Sequence, residues 1–429
     1  MRGRIRRLRH LAVTTPGRFS IIGVALVVIA LVSGLVGAFT VQQRSDLVRD
    51  VADHSGPLSF QAQSIYRSLS DADATAANAF LGGGVEPVAL RQRYADDIAQ
   101  ATAALTASLR IADDRASAQL LVLSDRLPVY TGLIETARAY NRQGIPLGAA
   151  YLREASGLMS QSLLPAAKRL FETQSEQLAR AQRDAAAFPW AVLLLGLLLL
   201  AALAGAQTFV SRRTNRLVNL GMAVATIAAL TSLTWATLAF AGATGRIDAG
   251  RRDGSAQLRL LAELRVDALQ ARADESLTLI ARGDGAGFEK EFTVLAQRLL
   301  GPDGSGGLFR KALAGAPTSA DRQRVEQARS AAQQWLAAHR TLRELDDGGK
   351  YQDAVKLATG SDPNSPSTLF GRLDTALTAG ITTSNATFED HTTQAGNILT
   401  GVNIAIVVLT VLLVAGSVAG LQRRIREYL

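Results

Sequence analysis

The chain has 429 residues, with 46 Lys plus Arg against 37 Asp plus Glu, four histidines and no cysteine. The absence of thiols excludes disulfides, thiolate metal sites and a cysteine nucleophile. The net charge of +9 does not argue for nucleic-acid binding, because twelve arginines against one glutamate lie in three short segments and leave the remainder close to neutral.

Residues 1–18 are a basic tail carrying Arg2, Arg4, Arg6, Arg7, Arg9 and Arg18. Residues 19–41 are uncharged and apolar, long enough for a helix to cross about 30 Å of hydrocarbon. They are too long for the apolar core of a cleavable signal peptide.

Residues 42–187 read as a four-helix block. Its first helix, Pro57–Leu81, stops at Gly82-Gly83-Gly84. The second opens at Glu86-Pro87, where proline's missing N–H costs nothing, and runs to Ala112. The third follows Asp113-Asp114 and runs to Gln143-Gly144. The fourth runs from Pro146 to Ala187, into the next apolar stretch. Gly56-Pro57 reads as a bend. In the third helix Leu120, Leu123, Leu127, Tyr130, Ile134 and Ala137 alternate spacings of three and four, an apolar seam. Pro128, inside it, predicts a kink.

Residues 188–210 form a second span and 211–217 a connector with Arg212, Arg213 and Arg216. The third apolar stretch is Leu217–Ala243, with the span itself at 218–241. Residues 242–397 form a second helical block. Val325, Ala328, Ala332, Trp335, His339 and Leu342 repeat the first seam one for one, Trp335 standing where Tyr130 stands. Gly349 falls opposite Gly144, and the pattern predicts a tandem duplication. Gly301–Gly307 and Gly360–Ser367 read as turn-rich loops, and the last helix of the block as Thr368–Asn397. A fourth span occupies 398–421, followed by a tail, 422–429, with Arg423, Arg424 and Arg426. Gly416 with Gly420, and Ala201 with Gly205, have the spacing of close-packing helix faces.

The predicted fold is therefore an all-α membrane protein of four transmembrane helices and two extracytoplasmic four-helix bundles. Short arginine-rich segments stay cytoplasmic, so both termini are expected inside and both blocks outside. The Ala-, Arg- and Asp-rich, Lys-poor composition suggests a high-GC bacterium, so the spans are expected to lie in a bacterial plasma membrane. Trp190 and Trp235 suit an interfacial aromatic belt.

Nothing in the residues points to catalysis. His10, His54, His339 and His391 lie outside any hydrolase or zinc motif, and neither a metal nor a cofactor is expected. His391 follows Glu389-Asp390, but three adjacent helical residues diverge and do not chelate together. Asp96-Asp97, Asp113-Asp114 and Asp346-Asp347 read as caps and solvated faces. His339 occupies an apolar seam position. It is either a hydrogen-bonded buried histidine or a ligand- or pH-responsive element. On the first reading His339→Leu stabilises its block. The spans carry no ionisable residue in their cores, which argues against an ion-coupled transporter.

The run Asp71-Ala-Asp-Ala-Thr-Ala-Ala-Asn-Ala-Phe-Leu-Gly-Gly-Gly84, followed by Tyr94-Ala-Asp-Asp-Ile98, resembles the four-helix-bundle sensor domains of bacterial chemoreceptors and histidine kinases. It departs from them in having no linker, methylation coil or kinase after either block. The doubled layout resembles the actinobacterial GlnX type of membrane component. That resemblance implies amino-acid nutrient sensing, with a solute-binding lipoprotein outside and protein kinase G inside. The expected function is a non-catalytic sensor that relays an external ligand to a cytosolic kinase or adaptor. Its expected partners are these proteins and the lipid bilayer, with no nucleic acid, and homodimerisation is possible. Arg212, Arg213, Arg216, Arg423, Arg424 and Arg426 are the candidate cytosolic contacts. The alternatives are an envelope scaffold and a transport accessory subunit.

Overall fold

A computed structural model describes residues 15–84, 86–111, 114–214 and 219–426. Among these residues every regular element is a helix. Contacts divide the chain into two units. Unit 1 comprises residues 1–50, 182–248 and 391–429, and unit 2 comprises 51–181 and 249–390.

Unit 1 is built on α1 (Thr15–Asp50), α7 (Trp190–Thr214), α8 (Leu220–Ala249) and α15 (Val402–Arg426). All four are long and apolar enough to cross a membrane. Leu26, Ala30, Leu203, Met222, Ala225 and Leu413 form their common core. Large apolar side chains such as Leu35, Leu194, Leu238 and Ile404 point outward and are well exposed, as suits helices solvated by lipid. Trp190 and Trp235 lie on that exposed surface.

Small residues set the closest approach. A Cβ on Gly221 of α8 would lie 2.6 Å from the carbonyl oxygen of Gly416 and the Cα of Gly420. The Gly416–Gly420 pair is thus a backbone-to-backbone contact, whereas Gly205 has nothing near it. Two amides tie the helices further, since polar groups in lipid need protein partners. Gln207 Nε2 donates to Met222 O (3.1 Å) and Thr226 Oγ1 (2.8 Å), and Asn219 Nδ2 donates to Gly420 O (2.8 Å).

Unit 2 contains both helical blocks apart from the last turns of their final helices. The first is α2 (Gly56–Leu81), α3 (Val88–Ile111), α4 (Asp114–Arg142), α5 (Leu147–Leu158) and α6 (Leu164–Ala186). The second is α9 (Ala256–Ile280), α10 (Ala286–Leu300), α11 (Gly307–Gly315), α12 (Ser319–Asp347), α13 (Tyr351–Thr359) and α14 (Pro366–Leu399). All twelve seam residues on α4 and α12 are buried. Both seam helices end alike. Gly144 (φ 68) and Gly349 (φ 75) take the left-handed conformation that glycine adopts freely. The next N–H then reaches back five residues, Ile145 to Tyr140 O and Lys350 to Leu345 O. Helix α4 is unbroken across Pro128. The second helix of the second block is divided into α10 and α11 by the glycine turn after Leu300.

The two blocks pack on one another within this unit. Helix α2 packs on α3 and on α9, and α9 packs in turn on α10. From Ala62 to Leu81, and from Leu261 to Ile280, nearly every residue is buried. A helix enclosed on all sides belongs at the centre, and unit 2 has two of them side by side. Its apolar clusters cross the block boundary accordingly. Leu277, Leu279 and Leu342 join the core of the first block, and Ala74 joins that of the second.

Candidate functional site

Enclosing α2 and α9 forces their charged residues to pair. Asp71 of α2 and Arg93 of α3 meet Arg265 of α9 and Asp374 of α14 in a closed ring. Arg265 binds Asp71 (3.0 Å) and Asp374 (2.5 Å), and Arg93 binds the same two carboxylates, each at 2.8 Å. Two members come from each block. Burial pushes the Asp374 carboxyl up, but Arg265 and Arg93 outweigh it and hold it below the usual carboxylate range. Beside the ring, burial and the Asp71 charge push Asp97 up to about 7. Asp97 is 8% exposed, which corrects its reading as part of a solvated face.

A second polar cluster centres on Glu275 of α9, which is fully buried. It accepts from Arg272, from Trp335 Nε1 (3.2 Å) and from His339 Nδ1 (2.8 Å). The other ring nitrogen of His339 lies 3.2 Å from Glu289 Oε1. Carboxylates on both nitrogens make both nitrogens donors, so the ring is an imidazolium. Burial lowers the His339 pKa, yet its bonds to Glu275 and Glu289 outweigh this and push it up to about 9. The ring stacks on Phe292 at 3.6 Å. Arg272 also reaches Asn78 Oδ1 of the first block (3.0 Å), a second polar tie between the blocks. The first block has a simpler version of this cluster. Asp73 of α2 accepts from Tyr130 Oη (3.2 Å) and Ser156 Oγ (3.1 Å), and its burial pushes it up to about 6.

The helices leading into each block share a further feature. Five-residue and six-residue π-helical turns, Val51–Ser55 and Gly250–Ser255, precede α2 and α9. Such turns occur frequently at functional sites. Phe388 of α14 touches both places. A Cβ on Gly254 would lie 2.8 Å from the Phe388 backbone, and one on Gly56 would lie 3.1 Å from its ring. The contact at Gly254 is with backbone, so Gly254→Ala is expected to force the π-helical turn before α9 away from α14. The cost should be about 1–3 kcal/mol by analogy with overpacked cores, read as a lowered melting temperature of the intact protein. A melt equal to that of the native protein would rule out a tight contact there. The returning helices are interrupted instead, at residues 187–189 and at Thr400-Gly401, where Gly401 has φ 88. Arg44 closes the first interruption by donating to the carbonyls of Asp184 and Ala185.

Of the residues singled out from sequence, His339 lies in the Glu275 cluster. Arg212 is exposed near the end of α7, and Arg213 falls in the same helix. Arg423, Arg424 and Arg426 fall in the last turns of α15, and Arg216 lies outside the described residues. The Asp71–Arg93–Arg265–Asp374 ring escaped sequence reasoning. The one signal was the run from Leu69 to Ala79, whose five alanines allow neighbouring helices to approach Asp71 and Asp73 closely.

A family model described as an actinobacterial sensor domain matches residues 47–183. That range covers nearly all of the first block and supports a sensing or signal-transducing role. Among curated proteins and among solved structures nothing matches the chain.

Proposed function

We propose that this chain is a non-catalytic transmembrane signal transducer of a bacterial plasma membrane. Both termini face the cytoplasm and unit 2 faces outward. The observation that carries this reading is the sensor-domain match, which begins within the apolar helix α1 and ends near the end of α6, shortly before the apolar helix α7. Unit 2 receives the signal, either as a small ligand or as a ligand-loaded solute-binding protein. On the GlnX-type reading the input is an amino-acid nutrient delivered by a lipoprotein. Packed helices shift between discrete arrangements rather than deforming smoothly, so a change in how α2 sits on α9 would be passed on through the helices that follow. The output goes to a cytosolic kinase or adaptor that reads Arg212, Arg213, Arg216, Arg423, Arg424 and Arg426.

We also read the two blocks as copies of one ancestral unit. The paired π-helical turns, the matched seams and the identical endings of α4 and α12 support this.

The test is crosslinking in living cells, then capture of the tagged intact protein and mass spectrometry. Recovery of a solute-binding lipoprotein together with a cytosolic kinase is the expected result. Recovery of wall-synthesis or secretion components alone would overturn the relay and leave an envelope scaffold.

A further inference from the structure

The first block contains a cavity of about 140 Å³ where α2 ends against α4 and α5. That is close to the ~150 Å³ engineered cavity that admits benzene. Its apolar wall comes from residues such as Phe80, Ile134 and Leu152. Its polar wall holds three guanidinium groups, on Arg91, Arg138 and Arg142, and two carboxylates, on Glu86 and Glu135.

These charges are not distributed evenly. Arg138 takes both carboxylates, Glu86 at 3.1 Å and Glu135 at 2.5 Å, and lies over the Tyr94 ring at 4.2 Å. It is a fixed part of the wall. Arg91 and Arg142 have no acidic partner among the described residues, and both are exposed to solvent. The cavity is therefore lined by two arginines without an acidic partner, beside an apolar floor. Guanidinium forks match carboxylates in a bidentate geometry, and the floor suits a short carbon skeleton.

The second block shows what the same place looks like without that bias. Its cavity lies where α9 ends against α12, with Arg343 where the first block has Arg138. The register that sets Gly349 opposite Gly144 sets Asp346 and Asp347 opposite Asn141 and Arg142. Arg343 binds Glu289, Asp346 and Asp347, and Arg282 is engaged over the Tyr351 ring at 5.1 Å. Three carboxylates against two guanidinium groups make this cavity unfavourable for an anion.

We infer that the cavity of the first block is a binding site for a small organic carboxylate, held by Arg91 and Arg142 over the apolar floor. This deepens the sensing reading and rests on it. The site also predicts that the two blocks differ in role, with the first taking the ligand and the second not.

Titration calorimetry on the intact protein in lipid nanodiscs tests this. The probes are succinate and benzoate, with uncharged succinamide and inorganic sulfate as comparisons. Saturable binding of succinate or benzoate is expected, with weaker or no binding of succinamide and sulfate. Arg91→Gln and Arg142→Gln should each weaken binding roughly tenfold, the loss expected for a hydrogen bond to a charged group. Arg282→Gln, in the second block, should leave it unchanged. Both substituted arginines of the first block are exposed, so the variants should melt as the native protein does. Saturable binding of neither carboxylate would overturn the inference, as would sulfate binding equally well or native affinity in both variants. The readout needs no partner protein. Carboxylate binding with no kinase captured would keep the site and remove the relay, whereas capture without binding would do the reverse.

Discussion

Replacing Arg265 by alanine is expected to cost unit 2 about 3–5 kcal/mol, the penalty for removing one partner of a buried ion pair. Arg265 is 4% exposed and holds Asp71 and Asp374 together across the two blocks. Without it, Arg93 remains as their ion-pair partner, with Arg67 and Asp97 close by. At about 2–4 °C per kcal/mol for a domain of this size, the melting temperature should fall on the order of 10 °C. Exposed Arg259 on the same helix is the control, and Arg259→Ala should change stability by less than about 0.5 kcal/mol. The pH dependence is diagnostic. In the native protein Asp374 is held below its ordinary value, so the ring stabilises above that value and its contribution is lost in acid. In the variant the orphaned carboxylates must rise instead, so the defect should be large at pH 8 and shrink toward pH 5 as they take up protons. A variant that melts within a degree of the native protein at pH 8 would show that the ring does not fasten the blocks.

His339→Leu is expected to destabilise, which reverses the expectation from sequence. An apolar seam position suggests that leucine would fill the site better. The structure instead places Glu275 and Glu289 on the two ring nitrogens, and leucine would leave Glu275 buried with a charged partner missing. Arg272 and Trp335 still serve Glu275, so the expected loss is on the order of 2–4 kcal/mol, at the lower end for a broken buried pair. The sign follows from linkage. The folded pKa of His339, about 9, lies above its ordinary 6.5. Its contribution is therefore complete below pH 6.5 and disappears as pH rises through 9. Melting curves of the native and variant proteins should differ most at pH 6 and converge near pH 10. A constant gap across that range would show that packing against Phe292, not charge, is what His339 supplies.

The same reasoning applies to the buried acids. Burial raises Asp97 and Asp267 to about 7 and Asp274 to about 8. Each takes a proton in the folded state that the unfolded chain has already released, so each weakens unit 2 as pH rises from the ordinary carboxylate range to those values. These acids and His339 share a sign, opposite to that of Asp374 and Glu275, whose carboxyls are held below their ordinary values.

Much of the architecture was legible along the chain because its causes are local. The four apolar stretches follow from the cost of unpaired backbone groups in lipid, a property that each segment carries by itself. The seams of α4 and α12 follow from helical periodicity, and their endings from Gly144 and Gly349. The place of the Gly416–Gly420 pair was also visible, although the partner that it meets, Gly221, was not.

What the sequence determined by itself was an all-helical chain with four spans and two similar blocks, because hydropathy, period and glycine conformation act within a few residues. What the tertiary structure decided was that the blocks pack on each other, with apolar clusters that cross the boundary between them. Asp71, Arg93, Arg265 and Asp374 are scattered over most of the chain, and no periodicity relates them. They form a site because two helices are enclosed side by side, and enclosure leaves each charge only the opposite charges around it. The same burial turned His339 from a misplaced seam residue into the bridge between two carboxylates.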